Sequence, residues 1–238
     1  MTEDPTGPGA ANAGARWLAE QLVAVTQDPG VADRVFALAG RKVGRAPRRP
    51  EEDPAGVVHG THDDAARAAL VVALADALGP GGGAALAARL ADLYQHGDTA
   101  ERRGVLRGLD ALAARDALAP EVVAVGTELA ADALRTNDQS LVAAAVGPFA
   151  AAHLDPHAWR HAVLKLVFMG VSLDAVAGLD DRTDAELARM ARDFAAERRA
   201  AGRVVPDDVA RLAPDVVTGP PSAADASDDS PTSTGRSA

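Results

Sequence analysis

Apolar residues recur at helical spacing along most of the chain, and glycine, proline and capping residues separate the runs. Trp17, Leu18, Leu22 and Val25 form a first stripe that Pro29-Gly30 stops. Val31, Val35, Phe36, Leu38 and Ala39 form a second, ending near Gly40. Thr61 can cap a helix carrying Leu70, Val71, Leu74 and Leu78, which Gly79-Pro80 terminates. The next helix runs to about Tyr94 with Leu86, Leu90 and Leu93 on one face, and Gly97 ends it. Asp98 and Glu101 then pair as cap and third helical residue ahead of Val105, Leu106, Leu109 and Leu112. Pro120 suits a first helical position before Val122, Val125, Leu129 and Ala133. Asn137-Asp138 opens a helix through Val146 that Gly147-Pro148 stops, and Asp155-Pro156 opens another over 157–169. A short turn around Leu173 and Val176 follows. Thr183 and Glu186 then suit a capping box for a long helix with Leu187, Met190, Ala191 and Phe194 inward, ending at Gly202.

The starts at Pro80, Asp98, Pro120, Asp138 and Pro156 lie about 20 residues apart, or ~40 per helix pair, the period of HEAT-like repeats. No internal self-similarity accompanies it. The expected fold is all-α: stacked antiparallel helix pairs in an α-α superhelix, or an irregular helical bundle. One domain is expected over 15–213, with a Pro- and charge-rich loop at 44–60. Residues 1–14 and 214–238 are expected to be disordered, because their Pro, Gly, Ser and Asp content cannot offset the entropy of ordering.

Composition agrees. Apolar residues make up 47% of the chain but aromatics only 3%, so small, strongly helix-forming side chains dominate and helices can approach closely. There are no cysteines, which excludes disulfides, thiolate nucleophiles and cysteine-ligated zinc. The formal charge of −10 disfavours neutralising phosphates, so no nucleic-acid partner is expected. Residues 1–14 lack the basic start and apolar core of a signal peptide, and no apolar run approaches the ~20 residues of a membrane span. The expected location is cytoplasmic, with no transmembrane segment.

The helix over 157–169 is apolar nearly all round: Trp159, Val163, Leu164, Leu166, Val167 and Phe168 cover well over half of its circumference. Such a helix is expected in the middle of its domain. Its single cation, Lys165, then either pairs structurally or faces a polar cavity and binds an anion. His157 and His161 stand four apart and are weak metal candidates, but no HExxH motif or third ligand accompanies them, so no metal or cofactor is expected. The basic run Arg41-Lys42 to Arg48-Arg49 beside Glu51-Glu52-Asp53 reads as a solvated loop. Pro80-Gly81-Gly82-Gly83 lacks the context of a phosphate loop.

The ordered series Arg135-Thr136-Asn137, Pro148-Phe149, Trp159, Val163-Leu164-Lys165, Gly178-Leu179, Arg182, Glu186-Leu187, Arg189-Met190, Asp193-Phe194, Glu197-Arg198 and Ala200 to Arg203 resembles the EboA domain family. The likeness covers about Gly97 to Arg203. Departures are Gly147 in place of a frequent Asn, Phe149 in place of a Tyr, Asp184 in place of an Asn, and Val209-Ala210-Arg211 in place of a Leu-Trp pair. The resemblance implies an accessory of a bacterial gene cluster that makes or moves secondary metabolites, alongside a prenyltransferase, a metal-dependent hydrolase and sugar-phosphate-enzyme-like proteins. It carries over no catalytic residues.

Two readings of function follow. The first is a non-catalytic helical accessory protein that binds a partner enzyme or a metabolite precursor. The second is a small-molecule-binding protein or enzyme with a polar site around Lys165, drawing on Arg135, Asn137, Trp159, Asp180 and Arg182. Ligand identity, oligomeric state and the role of Lys165 are not legible at this level.

Overall fold

The computed structural model describes residues 8–115 and 118–219, and every regular element among them is helical apart from two isolated bridges. The chain divides into two compact units, residues 1–179 and 180–238, where the sequence pattern suggests one domain over 15–213.

In the first unit, α1 (Pro8–Gln27) already begins inside the stretch expected to lack structure. Asp28 caps a 3₁₀ turn by accepting from Gly30 N at 2.8 Å, and α2 (Ala32–Val43) follows. After the 44–60 loop come α3 (His62–Leu78), α4 (Gly83–His96), α5 (Thr99–Ala113) and α6 (Pro120–Arg135). Their starts follow the expected signals. Asp64 returns to accept from Thr61 N at 2.9 Å, and Asp98 and Glu101 cap each other at 2.8 and 2.9 Å. Helices α3 and α5 lie side by side, as do α4 and α6, so alternate helices stack in two rows. Helices α1 and α2 pack on α3.

The expected helix from Asn137 to Val146 is shorter than its pattern. Asp138 caps α7 (Gln139–Ala144), and Gly147-Pro148 then opens a separate α8 (Pro148–His153) that the stripe did not distinguish. Both pack against α5. Then comes α9 (Pro156–Met169), capped by Asp155 and packed against α7.

Helix α9 corrects an expectation. It buries Trp159, Ala162, Val163, Leu166 and Val167 on one face only. His157, His161, Leu164 and Phe168, spaced by four, three and four, form its outward stripe, and Phe168 is 73% exposed. Apolarity around a helix records what could be buried. The neighbouring elements decide which side is covered.

The short α10 (Leu179–Arg182) leads into the second unit, where α11 (Ala185–Ala200) packs with α12 (Val209–Leu212). The cap of α11 is Asp184, accepting from Leu187 N at 2.9 Å, rather than Thr183; Glu186 instead holds Arg189. Val205 and Gly219 exchange backbone hydrogen bonds of 2.9 and 2.8 Å, so the start of the 214–238 tail folds back on the unit. The rest of that tail, and residues 1–7, lie outside the described residues.

Candidate ligand cleft

The 44–60 loop is built around one acid. Asp53 is buried, and its carboxylate accepts from the backbone N–H groups of Val57, Val58 and His59 at 2.9, 2.8 and 2.7 Å. Two further backbone bonds, Arg48 N to Gly60 O and His62 N to Ala46 O, close the loop on itself. The loop is tied to α5 through Arg107, whose Nη2 donates to Val58 O at 2.9 Å.

Beneath the loop lies a buried set of charges from α3 and α5. Asp63 and Arg67, both essentially without solvent contact, pair at 2.6 Å; Thr61 Oγ1 donates to Asp63 at 2.6 Å and Arg67 Nε to Phe36 O at 3.2 Å. Arg103 Nε reaches both oxygens of Asp64 at 2.8 Å. Buried charges persist only when paired and hydrogen-bonded, which these partners achieve.

Asp110 differs from these. Its Oδ1 accepts from Phe149 N at 3.0 Å. Phe149 is the second residue of α8, whose N-cap, Gly147, has no side chain to do this. A Cβ on Gly147 would stand 2.2 Å from Asp110 Oδ2, so the carboxyl occupies the place of the missing cap side chain. Oδ2 is buried without a hydrogen bond, 3.8 Å from Arg107 Nη1. Burial pushes the Asp110 carboxyl up to about 6, against the opposing pulls of Arg107 and the Phe149 N–H.

Asp110 and Arg107 line a cleft of about 440 Å³ together with Arg48, His59 and Asp64. Ala65, Ala68, Ala69, Ala111 and Pro148 form its apolar side. Three basic side chains, two from the 44–60 loop and one from α5, thus meet over a surface of small residues, an arrangement suited to gripping a small polar molecule.

The residues singled out from the sequence lie elsewhere. Lys165 is half-buried, and its Nζ donates to Leu134 O at 2.6 Å, near the C-terminal end of α6. That carbonyl lies at the negative pole of a helix, so a lysine is well placed there. Arg135, one residue on, is exposed and paired with Asp132 at 3.0 Å. Asn137 lines an open groove of about 610 Å³ with Val57, Phe168 and Met169. Trp159 is 1% exposed, a core side chain. Asp180 and Arg182 belong to the second unit. The His157 and His161 rings stack edge-on 4.4 Å apart on the exposed stripe of α9. Among the described residues no group of three or more His, Asp or Glu side chains is arranged to hold a metal.

The cleft was missed because Arg103, Arg107 and Asp110 lie opposite the apolar stripe of α5, where a solvated face is the ordinary expectation. One signal was present: Gly104 and Gly108 beside that face allow another element to come close.

Comparison with known proteins adds a family. The model of a family described as metabolite traffic protein EboA matches residues 57–213, so the likeness begins well before Gly97 and takes in every lining residue of the cleft except Arg48. No curated protein and no solved structure matches the chain.

Proposed function

The chain belongs to the EboA family, and from that membership we propose that it is a helical accessory protein of metabolite traffic that holds a small polar metabolite in the cleft between the 44–60 loop, α3 and α5. The convergence of Arg48, His59, Arg107 and Asp110 over small apolar residues, within 440 Å³, carries the reading. In this view the protein works in the cytoplasm beside the enzymes of a bacterial secondary-metabolite gene cluster and binds a precursor without transforming it. Among the described residues no helix is long and apolar enough to cross a membrane. A family concerned with metabolites and a formed polar cleft point the same way.

Native mass spectrometry of the protein purified from its own host tests this. A co-purifying small molecule is expected, and it is lost when Ala68→Phe fills the cleft. A chain that carries nothing, or the same molecule with the cleft filled, would sink the reading.

Docking on a partner enzyme is a second reading, supported by a separate surface. Phe168, with Val57 and Met169, faces an open groove whose other wall is polar, from Asn137 to Ser140. Retention of the cluster's enzymes by tagged protein, unchanged in Phe168→Ser, would count against that surface.

A further inference from the structure

We propose that the occupant of this cleft is a small organic anion whose charged oxygens lie between Arg48, His59 and Arg107 and whose uncharged body rests on the alanine surface. The inference rests on the cleft being the ligand site, and it follows from counting which charges there already have partners.

The acids around the cleft are largely answered. Asp64 holds Arg103 through both oxygens, Asp53 holds three backbone amides, and Glu52 holds Arg49 at 3.2 Å. The bases are not. Among the described residues the Arg48 guanidinium makes no hydrogen bond or ion pair, although its backbone is fixed by Gly60 O. Arg107 uses Nη2 on Val58 O, while its Nε is buried without an acceptor and its Nη1 stands 3.8 Å from Asp110. The Arg48 guanidinium and Arg107 Nη1 are thus donors at the cleft without a hydrogen bond, and a molecule that meets them brings acceptor oxygens of its own.

Charge balance agrees. Asp110 is the one wall acid without an ion-pair partner inside hydrogen-bond distance, and its charge is offset by Arg107 Nη1 at 3.8 Å. In a chain of net charge −10, two arginines and a histidine facing one small cleft depart from the average surface. Carboxylate and phosphate both meet the donor requirement. The alanines admit a flat or compact body, because none projects beyond its Cβ.

Isothermal titration calorimetry with benzoate, phenyl phosphate and benzamide tests this on the full chain. The first two share an aromatic body and differ in the anionic head; benzamide is the neutral counterpart of benzoate. At least one anion is expected to bind tenfold or more tighter than benzamide, and Arg48→Met and Arg107→Met are each expected to weaken that anion at least tenfold while leaving benzamide unchanged. Arg48 is exposed, so its variant keeps the test valid if Arg107→Met folds poorly. Which anion binds better separates a carboxylate from a phosphate ligand. Equal binding of benzamide and benzoate, lost in Ala68→Phe, overturns the anion assignment and leaves the metabolite site standing. Anion binding that ignores both arginine variants overturns it as well. If no probe binds and the molecule co-purified from the host is uncharged, the anion falls alone; if no probe binds and nothing co-purifies, both readings fall.

Discussion

Helices α5 and α9 are nearly the same length, 15 and 14 residues, yet they are covered to different extents. Helix α5 is enclosed on its polar side as well as its apolar one. Gly104 and Gly108 let α3 come so near that an added Cβ would stand 2.4 Å from Arg67 and 2.7 Å from Val71. The 44–60 loop covers Arg107, and α8 closes over Asp110. Helix α9 is covered on one side and leaves Phe168 outside. The difference teaches that enclosure follows from what neighbours can reach. A polar face is buried where loop carbonyls, helix N–H groups and opposite charges meet most of its groups, and an apolar face stays exposed where no element arrives.

The largest effect is expected beneath α5. Arg67→Met leaves buried Asp63 with only Arg45, 3.8 Å away, as a charge partner, and the loss is about 3 kcal/mol of stability by denaturant unfolding. Asp63→Asn in the same chain recovers part of it. A single variant within about 0.5 kcal/mol of the parent would show that the enclosure of α5 depends on shape alone.

The next effect depends on pH. With its folded value raised to about 6 from 3.8, Asp110 retains a proton that the unfolded chain releases, so its contribution is full below about pH 4 and is lost as pH rises through about 6. Asn keeps an oxygen for Phe149 N and has no charge to bury. Asp110→Asn is therefore expected to match the parent near pH 4 and to exceed it by up to about 3 kcal/mol at pH 7.5, seen as a flatter plot of stability against pH. Parallel plots for the two proteins would refute the burial of a titrating acid at this place.

The smallest effects belong to α9. Lys165→Met removes the donor at Leu134 O and is expected to cost about 1 kcal/mol. Phe168→Ser is expected to change stability by less than about 0.5 kcal/mol. Equal and large losses from both would mean that the outward side of α9 is packed after all.

Much of the fold was legible because its signals are local. Thr61, Asp98, Pro120, Asp138 and Asp155 open helices where their residue types predict, since a cap acts on N–H groups two or three positions away. Gly147-Pro148 was read as a stop and is also a start, because its cap comes from Asp110 on another helix. The site was less legible for the same reason. Arg48 and His59 come from the 44–60 loop and Arg107 and Asp110 from α5, and their meeting depends on Asp53 folding the loop and on two glycines admitting α3.

The sequence by itself determined most of the helices and many of their starts, the absence of cysteine chemistry and a likeness to the EboA family, because propensity, capping and composition act within a few residues or need no geometry. Only the tertiary structure decided which faces are covered. It laid the polar face of α5 under a loop, gave Lys165 a helix-end carbonyl, and gathered three basic side chains and two buried acids around a cleft, because these contacts join residues 30 to 60 or more positions apart whose approach is set by the packing of the whole unit.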